Sequence, residues 1–257
     1  MRKVSLALLL LLTCAVGAGV VYLVEHDVPI RNAGTTPTDT FFPPPPTRPE
    51  SSAPTTDLPS TGAPSSGATT SPPTAMKITF LGDDYTAGVG ANPQSKSWTQ
   101  LVGKQLHVEV TVVGESGAGY AKKSGDGKMY SSLVDKVVAS TPDLVVVSGG
   151  RNDVGDASST LHAAAHALFA SLHQKLPNAR LLAIAPWWGD SPHPAPLNTV
   201  DQAVRSGVRA AGGKYVNKPD PLGGHPGFMK DAADPNNKGY RAIADSVTSA
   251  IGAQLPR

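Results

Sequence analysis

The chain has 257 residues, of which 40% are hydrophobic, 16% charged and 5% aromatic, and its formal net charge is +2. So small a charge excludes the strong basic stripe of an electrostatic nucleic-acid binder, and we expect no nucleic-acid partner. The single cysteine, Cys14, excludes an intrachain disulfide and a cysteine-rich metal site. The 26 glycines and 24 prolines are well above average usage, which indicates that part of the chain is not a packed domain.

An uncharged, apolar run opens the chain from Val4 to Val24, directly after Arg2 and Lys3. A run of this length suffices to cross the hydrocarbon layer of a membrane as a helix. The positive residues before it predict that the N-terminus lies inside and the remainder outside. We therefore predict that residues 1–30 are a single-pass anchor in the cell membrane. A cleaved signal peptide, which would leave the protein secreted, stays open as the alternative, as does lipidation at Cys14.

A segment rich in Pro, Thr and Ser follows over residues 31–76. Its first 45 positions hold 11 Pro, 11 Thr and 6 Ser, including a run of four prolines at 43–46. Such a composition cannot bury enough apolar surface to offset the entropy lost on ordering, and its prolines favour an extended polyproline II conformation. We predict a disordered linker that holds a folded domain away from the membrane.

Residues 77–257 carry the pattern of a folded domain, in which short apolar runs alternate with stretches at helical spacing. The runs predict strands at 77–81, 108–113, 143–147 and 180–185. The stretches predict helices at 96–106, 129–139, 157–175, 196–211 and 236–253. Near-continuous apolar strands that alternate with helices indicate a parallel sheet covered on both faces. We therefore predict an α/β fold with three α/β/α layers and a parallel sheet of about five strands in flavodoxin-like order.

Polar, glycine-rich segments follow the first three predicted strands, and ligands bind at such strand ends in parallel α/β sheets. A further polar segment lies near the C-terminus. In chain order the four segments are Gly82-Asp83-Asp84, Gly114-Glu115-Ser116-Gly117, Gly149-Gly150-Arg151-Asn152-Asp153 and Asp231-Ala232-Ala233-Asp234-Pro235-Asn236. Their order and spacing resemble the SGNH (GDSL-type) hydrolase family of esterases and lipases over essentially all of 77–257. The resemblance implies the SGNH hydrolase fold.

The resemblance also implies roles for five positions. In that family a serine nucleophile follows Gly-Asp, and an Asp-x-x-His motif supplies the acid and the base of a catalytic triad. By position, Gly117 and Asn152 match the oxyanion-hole donors, and Asp231 matches the triad acid. The other two triad positions depart from the family pattern, because Asp84 stands at the nucleophile position and Asp234 at the base position.

These two substitutions remove the groups on which ordinary acyl transfer depends, a hydroxyl that attacks and an imidazole that takes its proton. Loss of a nucleophile or base typically costs on the order of 10⁴–10⁶ in rate. We therefore expect a degenerate hydrolase, a pseudoenzyme that binds an acyl, glycan or protein ligand of the cell envelope, with no cofactor. The alternative is an active acyl-ester hydrolase or acyltransferase with rewired catalytic residues, in which His193 or His225 supplies a displaced base.

The resemblance places the three aspartates of the triad positions at one cleft. Three carboxylates that close cannot all stay ionised without a partner. Either one of them holds a proton with a raised pKa, or a cation such as Ca²⁺ lies among them, or Arg151 neutralises the group. Trp187 and Trp188 follow the fourth strand, where they either line a sugar or acyl groove or cover the end of the sheet.

Overall fold

The structure is a computed structural model that describes residues 75–255. The predicted anchor at 1–30 and nearly all of the predicted linker at 31–76 lie outside the described residues, and both stay predictions. No helix between residues 75 and 255 is long and apolar enough to cross a membrane.

Five parallel strands form a single sheet in the described part of the chain. They are β1 Lys77–Gly82, β2 Glu109–Gly114, β3 Leu144–Ser148, β4 Arg180–Ile184 and β5 Lys214–Val216. The strands lie in the order β2-β1-β3-β4-β5, and every pairing is parallel. The predicted flavodoxin-like sheet is therefore confirmed.

The burial of each strand follows from its place in the sheet. All five residues of β3 are buried, because this strand lies in the middle of the sheet with helices on both faces. The edge strand β2 instead alternates exposed and half-buried residues over most of its length. An unbroken apolar run therefore marks a strand covered on both sides, as expected for parallel sheets.

Six α-helices connect the strands between residues 75 and 255. They are α1 Asp84–Ala87, α2 Trp98–Leu106, α3 Val134–Ala139, α4 Ser158–Lys175, α5 Leu197–Ala210 and α6 Asn237–Gly252. Buried side chains of α3, α4 and α5 pack on one face of the sheet, and those of α1, α2 and α6 pack on the other. The three-layer α/β/α architecture is therefore confirmed.

Two short elements have no counterpart among the predicted strands and helices. Helix α1 has four residues and β5 has three, so neither is long enough to show an apolar period. The predicted helix at 129–139 is a 3₁₀ turn, Tyr130–Leu133, followed by α3. These differences matter for the site because α1 begins at Asp84.

Candidate active site

The first three strand ends lie side by side at the carboxyl edge of the sheet. Gly82, the last residue of β1, is in register with Gly114 of β2 and with Ser148 of β3. A side chain at Gly82 would collide with the carbonyl oxygen of Ser148 and with the side chain of Thr86. Glycine at this position therefore lets the turn into α1 lie directly against the end of β3.

Asp83 caps the N-terminus of α1 and is almost completely buried, with 1% of its surface exposed. Its Oδ1 accepts the N–H of Tyr85 at 3.2 Å. Its Oδ2 has no hydrogen-bond partner among the described residues and lies beside Gly149. Burial, and after it the charge of Asp84, raises the pKa of Asp83 to about 7. This carboxyl group therefore keeps a proton at pH values where an exposed aspartate is ionised.

Asp84 is the first residue of α1 and is half-buried. Its Oδ2 accepts the backbone N–H of Gly117 at 3.3 Å. Gly117 lies in the loop after β2 with φ +74°, in the left-handed region that favours glycine. The carboxylate at the predicted nucleophile position thus engages one of the two predicted oxyanion-hole donors.

Asn152, the other predicted donor, lies in a 3₁₀ turn after β3. Its Nδ2 donates a hydrogen bond to the carbonyl oxygen of Ala118 at 2.9 Å. The next residue, Asp153, is buried and accepts three N–H groups of the same loop at 2.8–2.9 Å, those of Tyr120, Ala121 and Lys122. These bonds hold the loop after β2 firmly against the loop after β3.

Asp231 lies in the loop before α6 and is exposed. Its Oδ1 accepts the N–H groups of Ala233 and Asp234, each at 2.9 Å. These hydrogen bonds hold the pKa of Asp231 below its usual range. The side chain at the predicted triad-acid position therefore stabilises the turn of its own loop.

Asp234 is half-buried at the end of the same turn. Its partial burial raises its pKa, and the negative charges of Asp231 and then Asp84 raise it further. Asp234 therefore lies close enough to the carboxyl groups at the other two predicted triad positions for their charges to raise its pKa. Their assignment to catalytic roles stays a prediction.

Arg151, just after the end of β3, contacts the loop before α6. Its Nη1 donates to the carbonyl oxygen of Ala233 at 2.7 Å, and its guanidinium lies 4.7 Å from the centre of the Tyr85 ring. Within residues 75–255 it forms no ion pair. Its charge nevertheless lowers the pKa of Asp83 and of Asp234, which partly offsets the carboxylate repulsion.

A cation among the three aspartates, one of the alternatives left open by the sequence, gains no support from the described residues. Nowhere in 75–255 are three or more His, Cys, Asp or Glu side chains arranged to hold a metal ion. Two of the three alternatives for the aspartate cluster have support in the structure, because the pKa of Asp234 is raised and the charge of Arg151 acts in the opposite direction.

The two histidines considered as displaced bases have other partners. His193 Nε2 lies 3.0 Å from Oδ2 of Asp220, and the ring of His225 stacks on Phe228 with 4.8 Å between centroids. Neither histidine forms a hydrogen bond with Asp84 or an ion pair with any aspartate of the cluster in the described structure. Neither of these two histidines is therefore in place beside Asp84 as the displaced base.

Asp220 was not among the candidate residues, because no sequence motif marks it. Its side chain is 4% exposed, and besides His193 it accepts the N–H groups of Trp188 at 2.6 Å and Gly189 at 3.3 Å. Its Oδ1 accepts the N–H of Leu222 at 2.9 Å. This one carboxylate therefore ties the loop after β4 to the loop after β5.

Trp187 and Trp188 follow β4 and were predicted either to line a groove or to cover the end of the sheet. Trp187 is 3% exposed and packs edge-on against Trp98, with 5.4 Å between ring centroids. It therefore covers the end of the sheet. Trp188 is half-buried and stays a candidate for the wall of a groove.

The comparisons with known proteins agree with this architecture. The chain matches the GDSL-like lipase/acylhydrolase family over residues 80–242. The search of the curated proteins found no match.

Similar solved structures include three proteins with a related fold. A family two carbohydrate esterase from Clostridium thermocellum in complex with cellohexaose is 17% identical with TM-score 0.58, and the match covers 70% of this chain and 64% of that one. The psychrotrophic esterase EstA from Pseudoalteromonas sp. is 19% identical with TM-score 0.57, covering 69% and 97%. The salicylyl-acyltransferase SsfX3 from a tetracycline biosynthetic pathway is 15% identical with TM-score 0.57, covering 71% and 56%.

At these identities the likeness concerns the fold, and the chain spans about 64% of the length of the Clostridium thermocellum esterase. The family match is evidence of family membership, since it includes the end of β1 with its Gly-Asp segment, the loops after β2 and β3, and the turn before α6. On that match the chain belongs to the GDSL-like lipase/acylhydrolase family.

Proposed function

We propose that residues 77–257 form a binding domain of the cell envelope that keeps the esterase fold and has lost Ser–His acyl transfer. Its ligand is a glycan or an acyl compound, held at the carboxyl edge of the sheet. Residues 1–30 anchor the chain in the cell membrane, and residues 31–76 space the domain from it on the outer side. The carbohydrate-bound esterase of similar fold supports a glycan as the ligand.

One observation carries the proposal, the hydrogen bond from the Gly117 N–H to Oδ2 of Asp84. Acyl transfer develops negative charge on the substrate carbonyl oxygen, and an oxyanion hole stabilises it with donors that point at that oxygen. Here the carboxylate of Asp84 accepts the hydrogen bond of this donor instead. It also puts a like charge where the oxyanion would form, so the site disfavours the transition state of the family reaction.

The residues at the predicted base and acid positions also argue against acyl transfer. An imidazole base is oriented by a carboxylate and takes a proton from the nucleophile. At this site Asp234 is a carboxyl group repelled by Asp231 and Asp84, and Asp231 Oδ1 is engaged by backbone N–H groups of its own turn. Neither group is therefore placed to act as the base, or as the carboxylate that orients the base, in a His–Asp pair.

The cleft nevertheless has the properties of a binding site. The loops around it are braced by the buried carboxylates of Asp153 and Asp220, so little order has to be gained when a ligand binds. A cavity of about 460 Å³ adjoins the aspartate cluster, lined by Asp190, Ser191, Pro226, Met229, Lys230, Asp231 and Ala232. Small-ligand sites have volumes of roughly 300–1,000 Å³.

The test is hydrolysis of a short-chain nitrophenyl ester by the full-length protein, beside Asp84→Ser/Asp234→His and Asp84→Ala. We expect no hydrolysis by the natural protein and measurable hydrolysis by the double variant. Serine restores a nucleophile and leaves the Gly117 N–H free to bind the oxyanion, and histidine restores a base. The single variants Asp84→Ser and Asp234→His serve as controls, because the first restores only the nucleophile and the second only the base.

The alternative, an active hydrolase or acyltransferase with rewired residues, predicts the opposite pattern. Turnover by the natural protein that disappears in Asp84→Ala would show that Asp84 takes part in catalysis. That result would replace the binding function with an enzymatic one.

A further inference from the structure

We propose that the domain carries a second binding site, for a small molecule with a phosphate monoester group, at the opposite edge of the sheet. The site is a cavity of about 400 Å³ at the amino ends of β4 and β5. Its walls are the end of α4, the turns before β4 and β5, and the turn after α6. The candidate active site lies at the carboxyl edge, so this inference goes beyond the proposed function and does not depend on it.

The charged side chains that line the cavity are all basic. They are those of His173, Arg180 and Lys214, and no Asp or Glu among the described residues joins them. None of the three forms an ion pair with a residue between 75 and 255. Unpaired basic groups around a concave wall attract ligands of the opposite charge. The cavity therefore favours an anion.

The register of the sheet brings two of these basic groups to one face. Leu182 of β4 is in register with Lys214 of β5, and Arg180 lies two residues before Leu182. Because side chains alternate between the two faces along a strand, Arg180 and Lys214 leave the same face of the sheet. Like charges on neighbouring strands repel each other, and an anion bound between them removes that repulsion.

Arg180 is partly fixed in place by the turn after α6. Its Nη1 donates a hydrogen bond to the carbonyl oxygen of Gln254 at 2.6 Å, and its guanidinium makes no other hydrogen bond with the described residues. The remaining N–H groups are available to a ligand, and a side chain held in this way loses little freedom on binding. An arginine fork matches two oxygens of a phosphate group, and a lysine ammonium adds a point charge.

The backbone around the cavity is compatible with an anion even though α4 and α5 end there. The C-terminus of a helix presents carbonyl oxygens that repel anions. In α4 the carbonyl group of Leu172 accepts the N–H of Leu176. In α5 the carbonyl group of Val208 accepts the N–H of Gly213. These backbone hydrogen bonds reduce the negative partial charge that the helix ends would direct at the cavity.

The size of the cavity and the number of basic groups indicate which anion fits. A volume of about 400 Å³ falls within the range of small-ligand sites, roughly 300–1,000 Å³, so the phosphate belongs to a small molecule. A phosphate monoester carries about 1.5–2 negative charges at pH 7. It therefore suits three basic side chains better than a carboxylate or the phosphodiester of a lipid headgroup, each of which carries a single charge.

The experiment compares four probes that share a glycerol unit. They are glycerol 3-phosphate as the monoester, glycerophosphoglycerol as the diester of a deacylated lipid headgroup, glycerate as the carboxylate, and uncharged glycerol. Calorimetry with the full-length protein is run at neutral pH and constant ionic strength, since salt screens charge interactions. We expect glycerol 3-phosphate to bind about tenfold tighter or more than glycerophosphoglycerol and glycerate, and glycerol not to bind.

The variants Arg180→Gln and Lys214→Gln keep a polar side chain and remove one positive charge each. Each is expected to weaken the binding of glycerol 3-phosphate about tenfold or more. The matched controls Arg241→Gln on α6 and Lys136→Gln on α3 remove exposed charges outside the cavity and should leave the affinity unchanged. As a second measurement, saturating glycerol 3-phosphate should raise the urea midpoint of the natural protein and of both controls, and raise it less in the two cavity variants.

Lack of saturable binding of glycerol 3-phosphate by the natural protein would overturn the inference. Unchanged affinity in both cavity variants would also overturn it, because the phosphate would then bind elsewhere. Tighter binding of glycerophosphoglycerol would replace the monoester by a lipid headgroup, and equal binding of glycerate would remove the preference for phosphate. Ester hydrolysis by the natural protein would refute the proposed binding function without affecting this site.

Discussion

Replacing Asp83 by asparagine should remove a dependence of stability on pH that one buried carboxyl group creates. In the folded protein burial and the charge of Asp84 raise the pKa of Asp83 from 3.8 to about 7. The folded state then binds the proton more tightly than the unfolded state. Stability is therefore greatest below about pH 4, falls as the pH rises towards 7 and is level above that.

The size of this effect follows from the pKa difference. A shift of one pKa unit corresponds to about 1.4 kcal/mol, so a rise from 3.8 to about 7 amounts to roughly 4 kcal/mol. Asparagine keeps an oxygen that can cap α1, in the place of the Oδ1 that accepts the Tyr85 N–H. The variant therefore loses the ionisable group while it keeps the cap.

The assay is urea unfolding of the full-length protein at a series of pH values from 4 to 8. We expect Asp83→Asn to be more stable than the natural protein by up to ~4 kcal/mol above pH 7, with the difference shrinking towards zero at pH 4. Asp126→Asn, which alters an exposed side chain in the loop after β2, is the control. Parallel pH curves for the natural protein and Asp83→Asn would refute the reasoning.

Two further predictions concern the loops around the cleft. Asp220→Ala leaves the N–H groups of Trp188 and Gly189 without their acceptor, so we expect a loss of about 2–4 kcal/mol in unfolding free energy; an unchanged midpoint in urea would show that this carboxylate is dispensable. Gly117→Ala, at φ +74°, adds a methyl group that makes only an ordinary contact with Ser124 Cα, and should cost only about 1–2 kcal/mol in unfolding free energy. Gly90→Ala, at φ +96°, also forces a side chain against the backbone before α6, and should cost clearly more; equal costs would contradict the described packing.

The architecture of the domain was largely predictable from the sequence, because apolar periodicity is a local property of the chain. The runs at 77–81, 108–113, 143–147 and 180–185 each contain most of an observed strand. Their alternation with helices predicted a parallel sheet, which the strand pairing confirms. Helix α1 and strand β5 escaped prediction, since four and three residues carry too little periodicity.

The family was also accessible from sequence, because four motifs in a fixed order are improbable by chance. The family match over 80–242 confirms it. The roles of Asp84, Asp231 and Asp234, the loss of acyl transfer and the membrane anchor stay predictions, since each depends on chemistry or on residues that fold similarity does not reach.

The tertiary structure alone decided how the site residues meet. Asp84 and Gly117 are 33 residues apart, and Asp220 lies 32 residues from Trp188; such contacts depend on sheet register and loop geometry, which no local pattern encodes. The sequence alone determined which side chains were available at each strand end. The tertiary structure decided what each carboxylate contacts. A carboxyl group at a strand end can be unpaired, accept a backbone N–H or repel its neighbours, and the outcome depends on which strand ends the parallel sheet brings to one edge.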